Sequence, residues 1–159
     1  MAVSVDHAEI KLGQLITMGM AVAAYVLADP RWLFALGMIF LITGFARPLS
    51  PFVVLYRRVV QPLRLMRSDY RLDNIEPHAF GQLVGAVTVA LAVGLLYSGY
   101  ELAGWVVVGV LVGLTLVSCL GWCIGCFLYY QMNRLGLRGF FRHTPADTSV
   151  IPGQRPGKK

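Results

Sequence analysis

Charge is scarce in this sequence. Its 14 lysines and arginines and 8 aspartates and glutamates make 14% of 159 residues, where a soluble domain carries about a quarter. Most of these charges lie outside the apolar runs, and 57% of the chain is hydrophobic. Too little polar chain is left for a separate soluble domain, so the reading is a small integral membrane protein in contact with the lipid bilayer. The net charge of +6 would suit nucleic acid. In a membrane protein, however, basic residues set orientation, and no nucleic-acid partner is expected.

Other absences narrow the chemistry. Three cysteines, Cys119, Cys123 and Cys126, fall within one short stretch and cannot staple distant parts of a chain. No carboxylate or lysine lies deep in an apolar run, which argues against an ion-coupled pump. No histidine lies there either, which argues against an intramembrane bis-histidine haem, and no cofactor is expected. Val26-Leu27-Ala28 before Asp29 resembles a cleavage site. The segment ahead of it is slightly acidic, with Asp6 and Glu9 against Lys11, so it is expected to be retained.

Four apolar segments are present, at about 12–28, 31–46, 79–97 and 102–131. The first ends at Asp29-Pro30, a helix stop. The connections after the first and third are short, so the expected fold is all-α: four transmembrane helices as two hairpins in one bundle, a single membrane domain over 1–143. Thirteen of the 14 basic residues lie in the N-terminus, the segment between the hairpins and the C-terminal tail, and only Arg31 lies in a tight turn. The positive-inside rule then puts both termini and the central segment in the cytoplasm. Within that segment Ser50-Pro51 is a helix start. Residues 51–67 mix apolar side chains with Arg57, Arg58, Arg64 and Arg67, which predicts a short interfacial helix with its arginines toward anionic headgroups. Residues 69–78 read as a polar connector and 144–159 as a disordered basic tail.

Residues 13–29 and 81–97 share 5 identities in 17, a faint sign of two like hairpins. The pairs Gly81/Gly85, Gly109/Gly113 and Gly121/Gly125 read as close-packing faces, which would also permit a homodimer.

The chemistry is concentrated in Gly121-Trp122-Cys123-Ile124-Gly125-Cys126. On one continuous helix Cys119, Cys123 and Cys126 share a face, and the pair Cys123 and Cys126 sits near the cytoplasmic boundary of the hydrocarbon. Near a helix C-terminus, dipole and desolvation both disfavour a thiolate, so a reactive pair needs compensation, for which Arg47 and Arg134 are the candidates. Two cysteines are half of a structural zinc set, and His78 and His143 match no zinc spacing, so no metal is assigned. Gln14 and Gln82 begin the first and third segments at the depth of the cysteines. They, with Arg47 and Ser50, are candidates for lining a shallow pocket, and Tyr129 for packing over Cys126. Redox or sulfur-carrying chemistry and plain packing both remain open for the pair.

GQL before the first segment, Asp-Pro at the first turn, RPLSPF after the second, AFGQLVGAV opening the third and GWCIGCFLYY closing the fourth resemble a bacterial integral-membrane family, domain of unknown function 4395. The resemblance covers roughly residues 5–130, and its most specific part is Cys123, Gly125, Cys126 and Tyr129. The family often has an arginine a few residues before the Ser-Pro; Arg47 stands at a shifted position here, so the resemblance assigns it no role. The family has no established activity. Its members' association with thioredoxin-like and rhodanese-like proteins implies such a soluble partner and thiol–disulfide or sulfane-sulfur handling at the bacterial inner membrane. A non-catalytic scaffold and a small-molecule channel for a sulfur compound are the alternatives.

Overall fold

The computed structural model describes residues 3–137 and 151–157. It is mostly helical. Strand β1 (Val3–Asp6) leads into α1 (His7–Val26), then α2 (Arg31–Phe45). A 3-10 turn, Arg47–Leu49, precedes α3 (Pro51–Leu55), which continues as a π turn over Tyr56–Val60. Strand β2 (Tyr70–Asp73) follows, then α4 (Ile75–Tyr97), α5 (Glu101–Cys119) and α6 (Ile124–Arg134). Two helices, α4 and α5, are long and apolar enough to cross a membrane, and α2 is a shorter apolar helix.

Local chemistry sets the helix ends. Asp6 caps α1 by accepting from the Ala8 N–H at 3.0 Å. Pro30 opens α2 at a point where a missing N–H costs nothing. Inside the bundle Ala21, Ala24, Leu33, Leu36, Phe40, Val89, Ala92, Val108 and Leu111 form one core. Val87, Leu91, Val106, Val110 and Leu116 face outward instead, so the long helices carry apolar side chains on their outer surface as well.

Several expectations need correcting. The fold is not purely helical: β1 and β2 pair antiparallel from Val3↔Asp73 to Asp6↔Tyr70, so part of the 69–78 connector is a strand. Asp6, buried at the end of this ladder, is satisfied by hydrogen bonds from both sides. One of its carboxylate oxygens accepts the Tyr56 hydroxyl at 2.7 Å, and the other the Asp69 N–H at 2.9 Å. The interfacial helix reaches only Val60, and Arg64 beyond it has φ +52°. Its apolar face, Phe52, Val53, Tyr56 and Val60, is buried. Arg58, Arg64 and Arg67 are exposed, but Arg57 turns to Glu9 at 3.3 Å.

The largest correction concerns the fourth segment, expected as one helix over 102–131. It is two. α5 stops at Cys119 because Gly121 adopts φ +111°, and the Gly121 and Trp122 N–H groups fold back on the Ser118 and Val117 carbonyls. This is a Schellman closure, which needs glycine or asparagine at its left-handed position. Gly121 therefore serves a turn, not a packing face.

Part of the basic tail is described. Residues 151–157 lie back on this turn, with a bridge between Trp122 and Gln154. Residues 144–150 and the basic Arg138, Arg142, Lys158 and Lys159 lie outside the described residues, as does His143.

Candidate functional site: the Cys123–Cys126 turn

The break at Gly121 changes the setting of the cysteines. Cys123 is extended, at φ −92° and ψ 110°, and is the N-cap of α6. Its Sγ accepts from the Cys126 N–H at 3.2 Å, as a serine or aspartate cap oxygen would. The pair thus stands at a helix N-terminus, where unsatisfied N–H groups favour a thiolate, and not at the C-terminal end expected from sequence. Cys123 Sγ and Cys126 Sγ are 2.7 Å apart. Cys123 is partly exposed and Cys126 is buried.

α6 can bring the pair against α4 because both helices have glycine at the crossing. A Cβ on Gly125 would lie 2.5 Å from the Gly81 Cα. This close approach places His78, near the start of α4, beside the sulfurs. Cys126 Sγ is 3.5 Å from His78 Nδ1, and His78 Nε2 is 2.9 Å from Asp73 Oδ2. A carboxylate only accepts, so Nε2 carries a hydrogen, and Nδ1 faces the thiol. His7 Nε2 lies 3.1 Å from the same Asp73 oxygen, close enough for an ion pair but off the line of a hydrogen bond. Burial alone would raise the Asp73 carboxyl. The two histidines and the Asn74 N–H overcome it and hold the group below the usual carboxylate range.

The two thiols are driven apart electrostatically. The hydrogen bond from Cys126 does most to lower Cys123. Burial opposes it, His78 adds to it, and the net result lies well below an ordinary thiol. Donating that bond, together with burial, pushes Cys126 well above the ordinary value. One sulfur is prepared as thiolate and the other as thiol. Burial also pushes the nearby Tyr130 phenol up, keeping it neutral.

The compensating arginines expected from sequence do not serve this role. Arg47 Nη2 donates to the buried Glu9 at 2.8 Å, and Arg134 is exposed at the far end of α6. His78 takes their place. Of the other candidates, Gln14, Gln82 and Arg47 line a cavity of about 150 Å³ that also reaches Cys123. Ser50 is fully buried and spent on Thr43 at 2.7 Å, outside that lining. Tyr129 packs in one cluster with Cys126, but its hydroxyl donates to Glu76 at 3.0 Å and not to a sulfur. Cys119, outside the pair, donates to Gln14 Oε1 at 3.2 Å.

Asp73 and His7 were missed from sequence, and His78 was weighed there only as a zinc ligand. They reach the cysteines through the β1–β2 ladder and the start of α4, 48 residues before Cys126 in the case of His78, and no local spacing announces that. His78, Cys123 and Cys126 each offer a donor atom, all within 4.8 Å of one another. That is three donors of the soft set that zinc prefers, one short of a closed structural site. His7, Asp73 and His78 form a second such group around the shared histidine.

The segment 151–157 closes over this turn. The Cys123 N–H donates to the Gly153 carbonyl at 2.8 Å, and the Arg155 N–H donates to the Gly121 carbonyl at 2.8 Å. Arg71 Nη1 holds the Pro156 carbonyl. Gly153 has φ +89°, and a Cβ there would meet the Cys123 carbonyl oxygen at 2.7 Å and the Phe127 Cβ at 2.9 Å. Gly153→Ala is therefore expected to release the strap and speed alkylation of Cys123 by a bulky maleimide. An unchanged labelling rate would mean that the strap does not limit access.

No curated protein and no solved structure matches the chain. Residues 5–134 match the family model described as domain of unknown function (DUF4395), most of the chain, and the protein therefore belongs to that family.

Proposed function

We propose that the protein is a multi-pass inner-membrane dithiol protein that exchanges disulfides with a soluble thioredoxin-like or rhodanese-like partner at the cytoplasmic face. In this reading α1, α2, α4 and α5 are the four spans. Outward apolar side chains on the long helices and the thirteen-to-one split of basic residues support that topology. The observation that carries the chemistry is the Cys123 sulfur capping α6, with Cys126 Sγ 2.7 Å away and His78 behind it.

The steps follow from the asymmetry of the pair. The Cys123 thiolate attacks one sulfur of a partner disulfide. A Cys123–partner bond forms, the partner's own S–S bond breaks, and its second sulfur leaves as thiolate. Cys126 then gives its proton to the partner sulfur released in the first step, attacks Cys123 Sγ, and expels the partner's remaining sulfur as thiolate. The partner leaves reduced, and Cys123 and Cys126 are joined. His78 is a positioning group that favours the Cys123 thiolate, and Asp73 holds its ring through Nε2 at 2.9 Å.

Thiol labelling in oriented vesicles tests this reading. Inverted vesicles are expected to label Cys123 with an impermeant maleimide and right-side-out vesicles to leave it unlabelled. Mild oxidant should convert Cys123 and Cys126 reversibly to a form two hydrogens lighter by peptide mass. Thiols that stay reduced under oxidant would overturn the redox reading in favour of a scaffold. Labelling from the opposite side would overturn the topology.

A further inference from the structure

We propose that the cavity between α1, α2, α4 and α5 binds a lipid-soluble para-quinone, which accepts two electrons and two protons from the Cys123–Cys126 dithiol. The inference rests on the dithiol reading above and supplies it with an electron acceptor.

The cavity measures about 150 Å³, a volume that accommodates one six-membered ring. Its walls include Phe40, Phe52, Leu111 and Leu114, and its lining extends to Cys123 at the head of α6. Four threonines also line it, but none is free to hold a ligand strongly. Thr17, Thr43, Thr88 and Thr115 each donate to the carbonyl four residues back in their own helix.

What remains is two polar atoms. Among the described residues, Arg47 Nη1 and Gln82 Oε1 are buried side-chain atoms without a hydrogen-bond partner, and both residues line this cavity. A buried donor and a buried acceptor left unmade are costly unless a ligand completes them. The ligand must therefore accept from Arg47, donate to Gln82 and be apolar elsewhere.

A quinol meets those terms, with one hydroxyl oxygen accepting from Arg47 and one hydroxyl hydrogen reaching Gln82. The quinone meets them too, because the Gln82 amide can turn over and present its NH₂ to a carbonyl. Charge favours a neutral ligand over an anion such as thiosulfate, since within the lining Glu9 pairs Arg47 at 2.8 Å and its other partner, Arg57, is exposed and outside the lining. The balance is complete. Two thiols lose two hydrogens and form one S–S bond, and the two carbonyls of the quinone become two hydroxyls.

The test uses the full chain in lipid nanodiscs, reduced and freed of reductant without air, with decyl-ubiquinone as probe. The expected result is one quinol formed for every two maleimide-reactive thiols lost. Gln82→Leu is expected to raise the quinone concentration for half-maximal thiol loss by tenfold or more. Direct binding of the probe to the Cys123→Ser, Cys126→Ser double variant, which cannot react, guards against misreading a folding defect. Exchange with a soluble disulfide, measured on the same preparation, separates the two readings. If exchange proceeds but the quinone neither binds nor is reduced, the quinone inference fails and the dithiol reading stands. If neither proceeds, the dithiol reading fails and takes this inference with it. Binding that Gln82→Leu leaves unchanged, or that lipid acyl chains displace, would also overturn the site.

Discussion

Cys123→Ser is expected to reduce disulfide exchange to the uncatalysed level, whereas Cys126→Ser should accumulate a stable mixed disulfide through Cys123. The difference follows from geometry. Cys123 is the partly exposed sulfur at the α6 N-terminus, and it receives the Cys126 N–H at 3.2 Å and the Cys126 thiol at 2.7 Å. Cys126 is buried at 4% exposure and can reach only a sulfur already attached to Cys123. Non-reducing electrophoresis and mass analysis of the trapped species check this. A mixed disulfide through Cys126 in the Cys123→Ser variant would reverse the assignment.

The pH dependence has a definite sign. Cys123 is held below the ordinary thiol value, first by the Cys126 hydrogen bond and then by His78. Its alkylation rate rises with pH as the thiolate forms, so the inflection should lie below that of a free cysteine. Removing a contribution that favours the thiolate moves the inflection up. His78→Gln is therefore expected to slow alkylation at neutral pH while leaving the rate high in alkali, because a thiol below its pKa loses about tenfold in thiolate per pH unit. A change that was only structural would lower the rate at every pH and leave the inflection in place.

The second large effect is steric. Gly125→Ala puts a Cβ 2.5 Å from the Gly81 Cα, and backbone on that side cannot rotate away. The two helices must separate, at a cost of about 1–3 kcal/mol or more for overpacking. His78 then loses its place beside Cys126, so exchange falls along with thermal stability. The reciprocal change is expected to be mild. A Cβ on Gly81 would meet Gly125 Cα at 3.6 Å and Cys123 Sγ at 3.9 Å, both ordinary contacts. Thermal unfolding of the two variants in detergent compares them, and equal losses would mean that the crossing is looser than the geometry requires.

Particular residues show why the sequence reading succeeded where it did. Asp29-Pro30 ends one helix and starts the next by backbone chemistry alone, and the structure has the boundary there. The Cys-x-Gly-Cys stretch announced itself by residue type. Gly121 was misread because an apolar run of constant composition carries no sign of a helix end except the glycine itself, and the same residue type also serves close packing. The strand pair was missed for a related reason. Four-residue strands carry too little alternation to stand out, and burial of Asp6 against Tyr56 and Asp69 is a long-range event.

The sequence by itself determined the apolar character of the long helices, the grouping of positive charge and the spacing of the two cysteines, because each depends on residue type and near neighbours. Only the tertiary structure decided which cysteine is prepared as thiolate and what prepares it. That choice needed Gly121 to end α5, Gly125 to meet Gly81, and the β1–β2 ladder to carry Asp73 to His78. Each is a meeting of segments far apart in the chain, and electrostatic effects on a thiol act through space over a few ångströms, whatever the separation in sequence.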